Sequence, residues 1–194
     1  YYGGTIDTTR TMHFGTPTPE QKRAYTRVLQ GHIALSRAKF PQGTTGAQLD
    51  MLARQPLFQD GLNYLHGTGH GIGAFLNVHE GPHGFSSSSG GASVPVALQP
   101  GMILSNEPGY YKTGAFGIRI ESAMLVRPAS PASDSHEWLE FATLTRVPIS
   151  TKLVDGSLLR PDEAAWLRAY NAQCRDDILP LAQGDYRAEK WLQR

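Results

Sequence analysis

Four short motifs in this chain of 194 residues place a histidine or a carboxylate beside glycine, proline or β-branched residues. The motifs are His-Gly-Thr-Gly-His at 66–70, Val-His-Glu-Gly-Pro at 78–82, Asn-Glu-Pro-Gly at 106–109 and Gly-Ile-Arg-Ile-Glu at 117–121. Glycine lets main chain and side chains approach closely, so these motifs predict a fold built around a packed polar site. Together with Asp7 they offer imidazole and carboxylate donors, which suit a pair of divalent metal ions and a bridging water. The sequence therefore predicts a metal-dependent hydrolase.

The composition predicts one sizeable globular domain with its own core. The net charge of +1 and scattered Lys and Arg give no reason to expect nucleic acid, and no apolar run is long enough for a membrane span. Cys174 is the single cysteine, which excludes an internal disulfide framework and a thiolate metal cage. We therefore expect neither a nucleic-acid nor a membrane partner, and a cytoplasmic location.

Helices and strands are both predicted, with helices packed on a mostly antiparallel sheet, so the fold class is α+β. Capping boxes at 18–21 and 45–48 predict two helices, the first ending near residue 40 and the second burying Leu52. Strands are expected at 102–105 and 118–126, with a strand pair around 140–147. Further helices are expected at 159–178 and 186–193, and residues 86–91 are expected to form a surface loop.

Residues 1–11 have the pattern of the middle of a β-hairpin, with neither an initiator methionine nor a signal pattern. This pattern predicts that the chain is the C-terminal piece of a longer protein, with any targeting segment upstream.

The residues 79–83 match the zinc-protease pattern His-Glu-x-x-His literally. That pattern binds zinc only on a helix, where both histidines share a face. Pro82 and Gly81 disfavour a helix here. We therefore reject this motif as a zinc site and expect His83 to be a surface histidine.

A single glycine-flanked histidine is usually an ordinary core or surface residue, but three of them, His66, His70 and His79, crowd into one region. Residues an even number apart on an extended chain share a face, so His66 and His70 can enter one cavity. Glu121 lies inside an apolar stretch, where an unpaired carboxylate is costly. Two alternatives stay open at this point: an exposed ion pair between Glu121 and Arg119, and a turn role for Asp7.

The motifs, taken in order, resemble the catalytic domain of the aminopeptidase P family of metallopeptidases, family M24B. The matching segments are 5–11, 66–73, 77–82, 106–111 and 117–121, and the tail around Trp166, Cys174 and Trp191 also resembles the larger, eukaryotic-type branch. The resemblance covers nearly the whole chain. It implies the pita-bread fold, a mostly antiparallel curved sheet with flanking helices. It also implies release of an N-terminal residue that precedes proline.

The resemblance implies a metal site with four ligands in this chain: Asp7 and Glu121 bridging two ions, and His70 and Glu107 completing the coordination of one. Glu107 would also accept the proton of the attacking water. The implied cofactor is a pair of divalent ions, and the oxygen-rich donor set favours manganese over zinc or cobalt.

Four further residues gain catalytic roles from the resemblance. His79 would hold substrate and stabilise the tetrahedral intermediate, and His66 would line the substrate pocket. Tyr111 and Arg119 would steady the ligands and relay protons. The expected partners are peptides with proline in the second position.

Part of the family pattern has no counterpart in this chain. A further aspartate ligand and a histidine of the family precede the position of Tyr1. We therefore expect the isolated chain to be poorly active or inactive and not to hold both ions. Residues 1–155 are assigned to the C-terminal part of the catalytic domain and 156–194 to a helical extension, a candidate contact for a homodimer.

Two other functions are compatible with the same fold. Prolidase and methionyl aminopeptidase share it, although the short spacing between Glu107 and Glu121 and the 106–111 segment argue against both. A non-catalytic interaction module is the second alternative. Such modules lose metal ligands, whereas the four ligand positions within this chain carry the expected residue types.

Overall fold

The computed structural model describes residues 4–86, 96–129 and 137–192. The helices in these ranges are α1 (Pro19–Ser36), α2 (Gly46–Phe58), α3 (Pro161–Ile178) and α4 (Tyr186–Leu192). The first strands are β1 (Lys39–Pro41), β2 (Gly69–His70), β3 (Gly84–Phe85) and β4 (Ile103–Asn106). They are followed by β5 (Gly109–Lys112), β6 (Phe116–Arg119), β7 (Ser122–Pro128) and β8 (Trp138–Thr143). The predicted α+β class is confirmed.

The main sheet has four antiparallel strands in the order β1-β8-β7-β4. Its register pairs Leu104 on β4 with Met124 on β7. Two short antiparallel pairs, β2–β3 and β5–β6, lie outside this sheet. An isolated bridge from Gly71 to Leu104 joins the chain after β2 to β4. The polar motifs of the sequence therefore lie on or directly beside strands that meet at the β4 edge.

Both predicted capping boxes are present. Thr18 caps α1 through Gln21, and Thr45 pairs with Gln48 at the start of α2. Helix α1 ends at Ser36, earlier than expected, because residues 39–41 pair with β8 as a strand. The expectation that Leu52 points inward was wrong, since 38% of this residue is exposed.

Two apolar clusters hold these elements together. One joins α1 to α3 and includes Tyr25, Leu29, Leu167 and Tyr170. The other lies between α2 and the main sheet and includes Phe85, Leu104, Met124 and Phe141. The division of the chain at residues 155 and 156 stays a prediction. In the described part of the chain, no helix is both long and apolar enough to cross a membrane.

Three local expectations differ from the structure. Residues 118–126 do not form one strand, because the strand pairing changes at Ile120 and Glu121, between β6 and β7. The region 140–147 contributes one strand, β8, rather than a pair. Residues 4–11 form a single bridge, Thr9 to Glu121, instead of a hairpin. Residues 1–3 of that hairpin, and most of the expected loop at 86–91, lie outside the described residues.

Candidate metal centre

Four side chains from separate segments converge at the edge of β4: Asp7, His70, Glu107 and Glu121. Ligand atoms of His70, Glu107 and Glu121 all lie within 4.8 Å of one another. The same limit holds for a second group made of Asp7, His70 and His79. His70 belongs to both groups, so the predicted metal ligands form one continuous cluster.

Each of these side chains is placed by a strand end. Glu107 directly follows β4, and its N–H donates to the carbonyl oxygen of Thr68 at 2.8 Å. Glu121 lies between β6 and β7, paired with Thr9 by the isolated bridge that also places nearby Asp7. His70 is the last residue of β2. At a strand end the main chain is fixed by hydrogen bonds, while the side chain has room to be polar. A metal site requires both.

The buried Ser105 hydroxyl links two of the candidate ligands. It accepts a hydrogen bond from the His70 N–H at 3.0 Å and donates to Oε1 of Glu107 at 3.0 Å. Gly69 lies so close to β4 that a Cβ atom there would clash with the carbonyl oxygen of Ser105. The close approach therefore explains why glycine precedes His70.

A buried polar network fastens the 64–68 loop to α2. Thr68 donates to Oδ1 of Asp50, and the Tyr64 hydroxyl lies 2.5 Å from the Thr68 hydroxyl. Arg54 pairs with Asp50 at 2.8 Å and donates to the carbonyl oxygen of His66 at 3.0 Å. Burial raises the pKa of Tyr64 to about 12, which keeps the phenol protonated as a donor. Asp50 and Arg54 of α2 thus fix the loop that carries His66.

The tautomer of His70 suits metal binding. Its Nδ1 lies 3.0 Å from the carbonyl oxygen of Gly71, which can only accept, so Nδ1 carries the proton. With Nδ1 turned to Gly71, Nε2 is the ring atom that faces the carboxylates, and it lies 3.0 Å from Oδ2 of Asp7 and 3.3 Å from Oε1 of Glu107. Metal-binding histidines characteristically fix their tautomer in this way.

The electrostatics of the cluster favour a bound cation. Burial raises the pKa of Glu121, which is 3% exposed, and the charges of Glu107 and Asp7 raise it further. Burial is the largest influence on the pKa of His70 and would lower it, but the hydrogen bonds to Glu107 and Gly71 and the charges of Glu107 and Asp7 together outweigh burial and raise the pKa to about 9. Without a metal ion, Nε2 therefore carries a proton toward these carboxylates. Oδ2 of Asp7 is buried and makes no well-aligned hydrogen bond among the described residues. A divalent ion would take the place of the Nε2 proton and satisfy the converging oxygens, so the residues fit the group.

Arg119 lies between the two glutamates. Its guanidinium is 4.0 Å from Oε2 of Glu107 and 3.7 Å from Oε2 of Glu121, and its Nε donates to the Thr9 hydroxyl at 3.0 Å. Thr9 in turn donates to the carboxylate of Glu121. The ion pair between Arg119 and Glu121 that the sequence left open is therefore present, but it does not lie on an exposed face, because Glu121 is buried.

His66 and Tyr111 pair beside the cluster. Nδ1 of His66 donates to the carbonyl oxygen of Gly67 at 2.8 Å, so Nε2 accepts from the Tyr111 hydroxyl at 2.9 Å. Tyr111 is 46% exposed. His66 belongs to neither candidate metal group, which agrees with the pocket role expected for it.

His79 is exposed, and its ring centroid lies 4.2 Å from that of His70. It is therefore within ligand distance of the cluster, although the sequence assigned it to substrate. Residues 79–83 are not helical, which supports rejecting them as a zinc motif. The expectation of a surface His83 was wrong: it is half-buried, and its Nε2 donates to the carbonyl oxygen of Ile103 at 3.0 Å.

A cavity of about 490 Å³ has Asp7 in its lining. Its walls are largely apolar and include Ile72, Ile103, Leu144 and Val147. Asp7 therefore forms the boundary between the polar cluster and an apolar recess.

The fold and the cluster define a metallopeptidase, and comparison with known proteins identifies its family. The model of metallopeptidase family M24 matches residues 1–128, and the model of the C-terminal region of peptidase M24 matches residues 137–194. The chain belongs to metallopeptidase family M24. The resemblance on which the sequence analysis relied is thereby confirmed.

Among its relatives is a probable Xaa-Pro aminopeptidase P of Laccaria bicolor, 54% identical over 196 residues, covering 100% of this chain and 30% of the relative. An X-prolyl aminopeptidase of Caenorhabditis elegans, described as a cytosolic enzyme with a di-nuclear active site, superposes with a TM-score of 0.87. The two sequences are 42% identical, and the match covers 95% of this chain and 30% of the Caenorhabditis elegans chain. The chain thus spans about 30% of the length of these relatives, and the pita-bread fold is confirmed.

A more distant solved structure is a Xaa-Pro dipeptidase of Bacillus anthracis, with a TM-score of 0.58 and 31% identity. That match covers 75% of this chain and 36% of the dipeptidase. The fold is therefore shared by an enzyme described as an aminopeptidase and one described as a dipeptidase.

Sequence reasoning missed three residues that support the ligands: Thr9, Arg10 and Ser105. Thr9 and Arg10 directly follow the Asp7-Thr8 pair, and Ser105 precedes the Asn-Glu-Pro-Gly motif by one residue. Each of the three lies within three residues of a candidate ligand in the sequence. That proximity was the signal that could have identified them.

Proposed function

We propose that this chain forms the metal-binding part of a Xaa-Pro aminopeptidase, which releases the N-terminal residue preceding proline. The observation that carries the proposal is the convergence of Asp7, His70, Glu107 and Glu121, with Nε2 of His70 facing the carboxylates of Asp7 and Glu107. The naming of the Laccaria bicolor and Caenorhabditis elegans relatives supports the substrate class.

The proposed cofactor is a pair of divalent ions, held by Asp7 and Glu121 as shared ligands and by His70 and Glu107 at one ion. When bound, such a pair lowers the pKa of a water molecule and offsets negative charge on the scissile carbonyl group. The di-nuclear site of the Caenorhabditis elegans enzyme supports two ions. Manganese is favoured because oxygen donors dominate the ligand set.

Proton transfer is assigned to Glu107. Its carboxylate accepts from Ser105 and faces His70, and these hydrogen bonds outweigh the effect of burial and lower its pKa. The ionised carboxylate is the form that accepts the proton of an attacking water.

Substrate contacts are assigned to His66 and His79. The exposed His79 reaches the cluster next to His70, where an imidazole N–H can stabilise the oxyanion of the tetrahedral intermediate. Tyr111 donates to His66, and Arg119 holds both glutamates. These four residues would orient the peptide and the ligands without themselves binding an ion.

A prolidase activity is the second candidate, because the Bacillus anthracis dipeptidase shares the fold. A prolidase cleaves Xaa-Pro dipeptides, whereas the proposed enzyme cleaves Xaa-Pro-Xaa tripeptides. Measuring the activity of one preparation on dipeptides and on tripeptides separates the two candidates.

The experiment uses a hybrid enzyme in which this chain replaces the 30% of the Laccaria bicolor relative that it matches. The proposal predicts manganese-dependent release of the first residue from Xaa-Pro-Xaa tripeptides, and its loss in Glu107→Ala. Glu140→Ala removes a carboxylate on β8 that belongs to neither candidate metal group, and it is the matched control that keeps activity. A hybrid that folds and cleaves only dipeptides supports prolidase instead, and an active Glu107→Ala hybrid supports a role other than catalysis.

We also propose a cytoplasmic location, which the cytosolic description of the Caenorhabditis elegans enzyme supports. A homodimer through the tail helices stays a prediction, and sedimentation of the purified protein tests it.

A further inference from the structure

Arg10 connects the candidate metal centre to the C-terminal region. This half-buried residue lies three positions after Asp7, and its guanidinium contacts three separate segments of the chain. They are the bridge between Thr9 and Glu121, the segment after β8, and helix α3. The sequence analysis gave it no role.

The first contact fixes the main chain around a metal ligand. Nη1 of Arg10 donates to the carbonyl oxygens of Thr9, at 2.9 Å, and of Glu121. Nη2 lies 3.2 Å from the hydroxyl of Ser122, the next residue. The Thr9 hydroxyl also donates to the Glu121 carboxylate. Arg10 therefore fixes the main chain of both residues whose side chains form this hydrogen bond.

The second contact reaches α3. Nη2 donates to the Tyr170 hydroxyl at 2.8 Å, and Nε donates to the carbonyl oxygen of Val147 at 3.0 Å. The Tyr170 hydroxyl lies 2.9 Å from the carbonyl oxygen of Thr145, to which it donates. Tyr170 is 7% exposed and stacks on Trp166 with ring centroids 5.2 Å apart, so its position follows the packing of α3.

These acceptors are all neutral. Among residues 4–86, 96–129 and 137–192, no acidic side chain lies within ion-pair distance of Arg10. The planar fork of arginine serves acceptors in several directions at once, which a single ammonium group does not. The arrangement therefore depends on the shape of the guanidinium rather than on its charge.

We propose that Arg10 is a positioning residue through which the docking of α3, by way of Tyr170, sets the affinity of the metal centre. The inference rests on the metal centre of the proposed function. Linkage makes the effect reciprocal: if docked α3 favours metal binding, bound metal stabilises the docking of α3 to the same extent. In this proposal the C-terminal region positions the candidate ligand Glu121, in addition to covering the apolar core.

The test compares Arg10→Lys, Tyr170→Phe and Arg146→Lys in the 194-residue chain, with Mn²⁺ alone as the probe. Arg146 is the matched control because it joins the same segment to α3, through Thr143 and Asp177, without contacting a metal ligand. Affinity is measured by calorimetric titration, and folding by thermal unfolding in the presence of EDTA. Hydrogen exchange of the α3 amides is followed with and without Mn²⁺.

Loss of a supporting partner typically lowers metal affinity by about tenfold or more. We expect that loss in Arg10→Lys, a smaller loss in Tyr170→Phe, and none in Arg146→Lys. Mn²⁺ should slow exchange in α3 of the wild type and not in Tyr170→Phe. If Arg10→Lys does not fold, Tyr170→Phe decides. Unchanged affinity in folded variants overturns this inference alone, whereas a wild type that binds no Mn²⁺ overturns the proposed metal centre as well.

Discussion

Nε2 of His70 lies 3.0 Å from Oδ2 of Asp7, with the Nδ1 proton of His70 committed to the carbonyl oxygen of Gly71. Oδ2 of Asp7 is buried and makes no well-aligned hydrogen bond among the described residues. In the metal-free protein a proton on Nε2 offsets the negative charge, because the pKa of His70 is raised to about 9, but it leaves this oxygen without an aligned donor. A divalent ion between Nε2 and the carboxylate oxygens would satisfy both, so the relationship favours a metal site.

In the metal-free protein, Asp7→Asn removes both the repulsion between Asp7 and Glu121 and the attraction between Asp7 and protonated His70. We expect these two effects to offset, so that Asp7→Asn unfolds in EDTA at about the same temperature as the wild type. A ligand at 100 times its Kd adds about 2.7 kcal/mol of stability, so Mn²⁺ should raise the wild-type Tm by about 5 to 10 °C. Asp7→Asn should show a much smaller rise.

Differential scanning fluorimetry with EDTA or Mn²⁺ measures both effects. Asp177→Asn, an exposed carboxylate paired with Arg146, is the control and should respond to Mn²⁺ like the wild type. A metal response in Asp7→Asn equal to that of the wild type would remove Asp7 from the ligand set.

Gly69 is predicted to be intolerant of a side chain. A Cβ atom there would clash with the carbonyl oxygen of Ser105, so Gly69→Ala must displace β2 from β4. Overpacking of this kind costs about 1 to 3 kcal/mol. Gly67→Ala is the control within the same motif, because its Cβ atom would approach no closer than 3.4 Å to its neighbours. Urea unfolding of both variants tests the difference, and equal stabilities would contradict the close approach.

The hydrogen bond between Tyr111 and His66 should matter for turnover but not for metal binding. We expect Tyr111→Phe to lower kcat/KM of the hybrid enzyme by about tenfold to a hundredfold while leaving its metal content unchanged. Tyr110→Phe is the neighbouring control, since Tyr110 packs on Phe116 instead. Full activity in Tyr111→Phe would show that the hydroxyl has no role in the reaction.

Asp60 should contribute a pH-dependent part of the stability. Hydrogen bonds from Arg27 are the largest influence on the pKa of this carboxyl, and with those from Arg23 they lower it to about 2 despite the opposing effect of burial. A carboxyl with a lowered folded-state pKa stabilises the protein above its unfolded pKa, near 3.8, and loses that contribution as the pH falls toward 2.

Asp60→Asn should therefore lower the free energy of unfolding by about 2 kcal/mol at pH 7. The difference from the wild type should narrow between pH 5 and pH 3. Urea denaturation across that range measures it. If the stability difference stays constant with pH, Asp60→Asn destabilises the protein by disturbing packing and not by removing the carboxylate charge.

Local sequence signals predicted the helices well because their information is local. The capping residues Thr18 and Thr45 begin α1 and α2 as expected, and Pro161 begins α3. Leu52 was misplaced because helical spacing does not reveal which part of an apolar face a neighbouring element covers. Strand limits also depended on partners: the stretch 118–126 breaks at Glu121 because β6 pairs with β5, whereas β7 pairs with β4 and β8.

The candidate ligands came from motif spacing and family resemblance, and the structure brings Asp7, His70, Glu107 and Glu121 together. Their supporting residues escaped prediction because the contacts span long separations. Arg10 bonds to Tyr170, 160 residues away, and Thr9 to Glu121, 112 residues away. No local pattern of residues contains such contacts.

The most direct test of the metal centre is calorimetric titration of the 194-residue chain with Mn²⁺, beside Glu121→Gln and Glu140→Gln. Glu121→Gln keeps the size of a buried ligand and removes its charge, whereas Glu140 pairs with Arg127 and belongs to neither candidate metal group. We expect the wild type and Glu140→Gln to bind Mn²⁺ alike, and Glu121→Gln to lose at least about tenfold in affinity. A wild type that binds no Mn²⁺, or a Glu121→Gln variant that binds it equally well, would contradict the proposed metal centre.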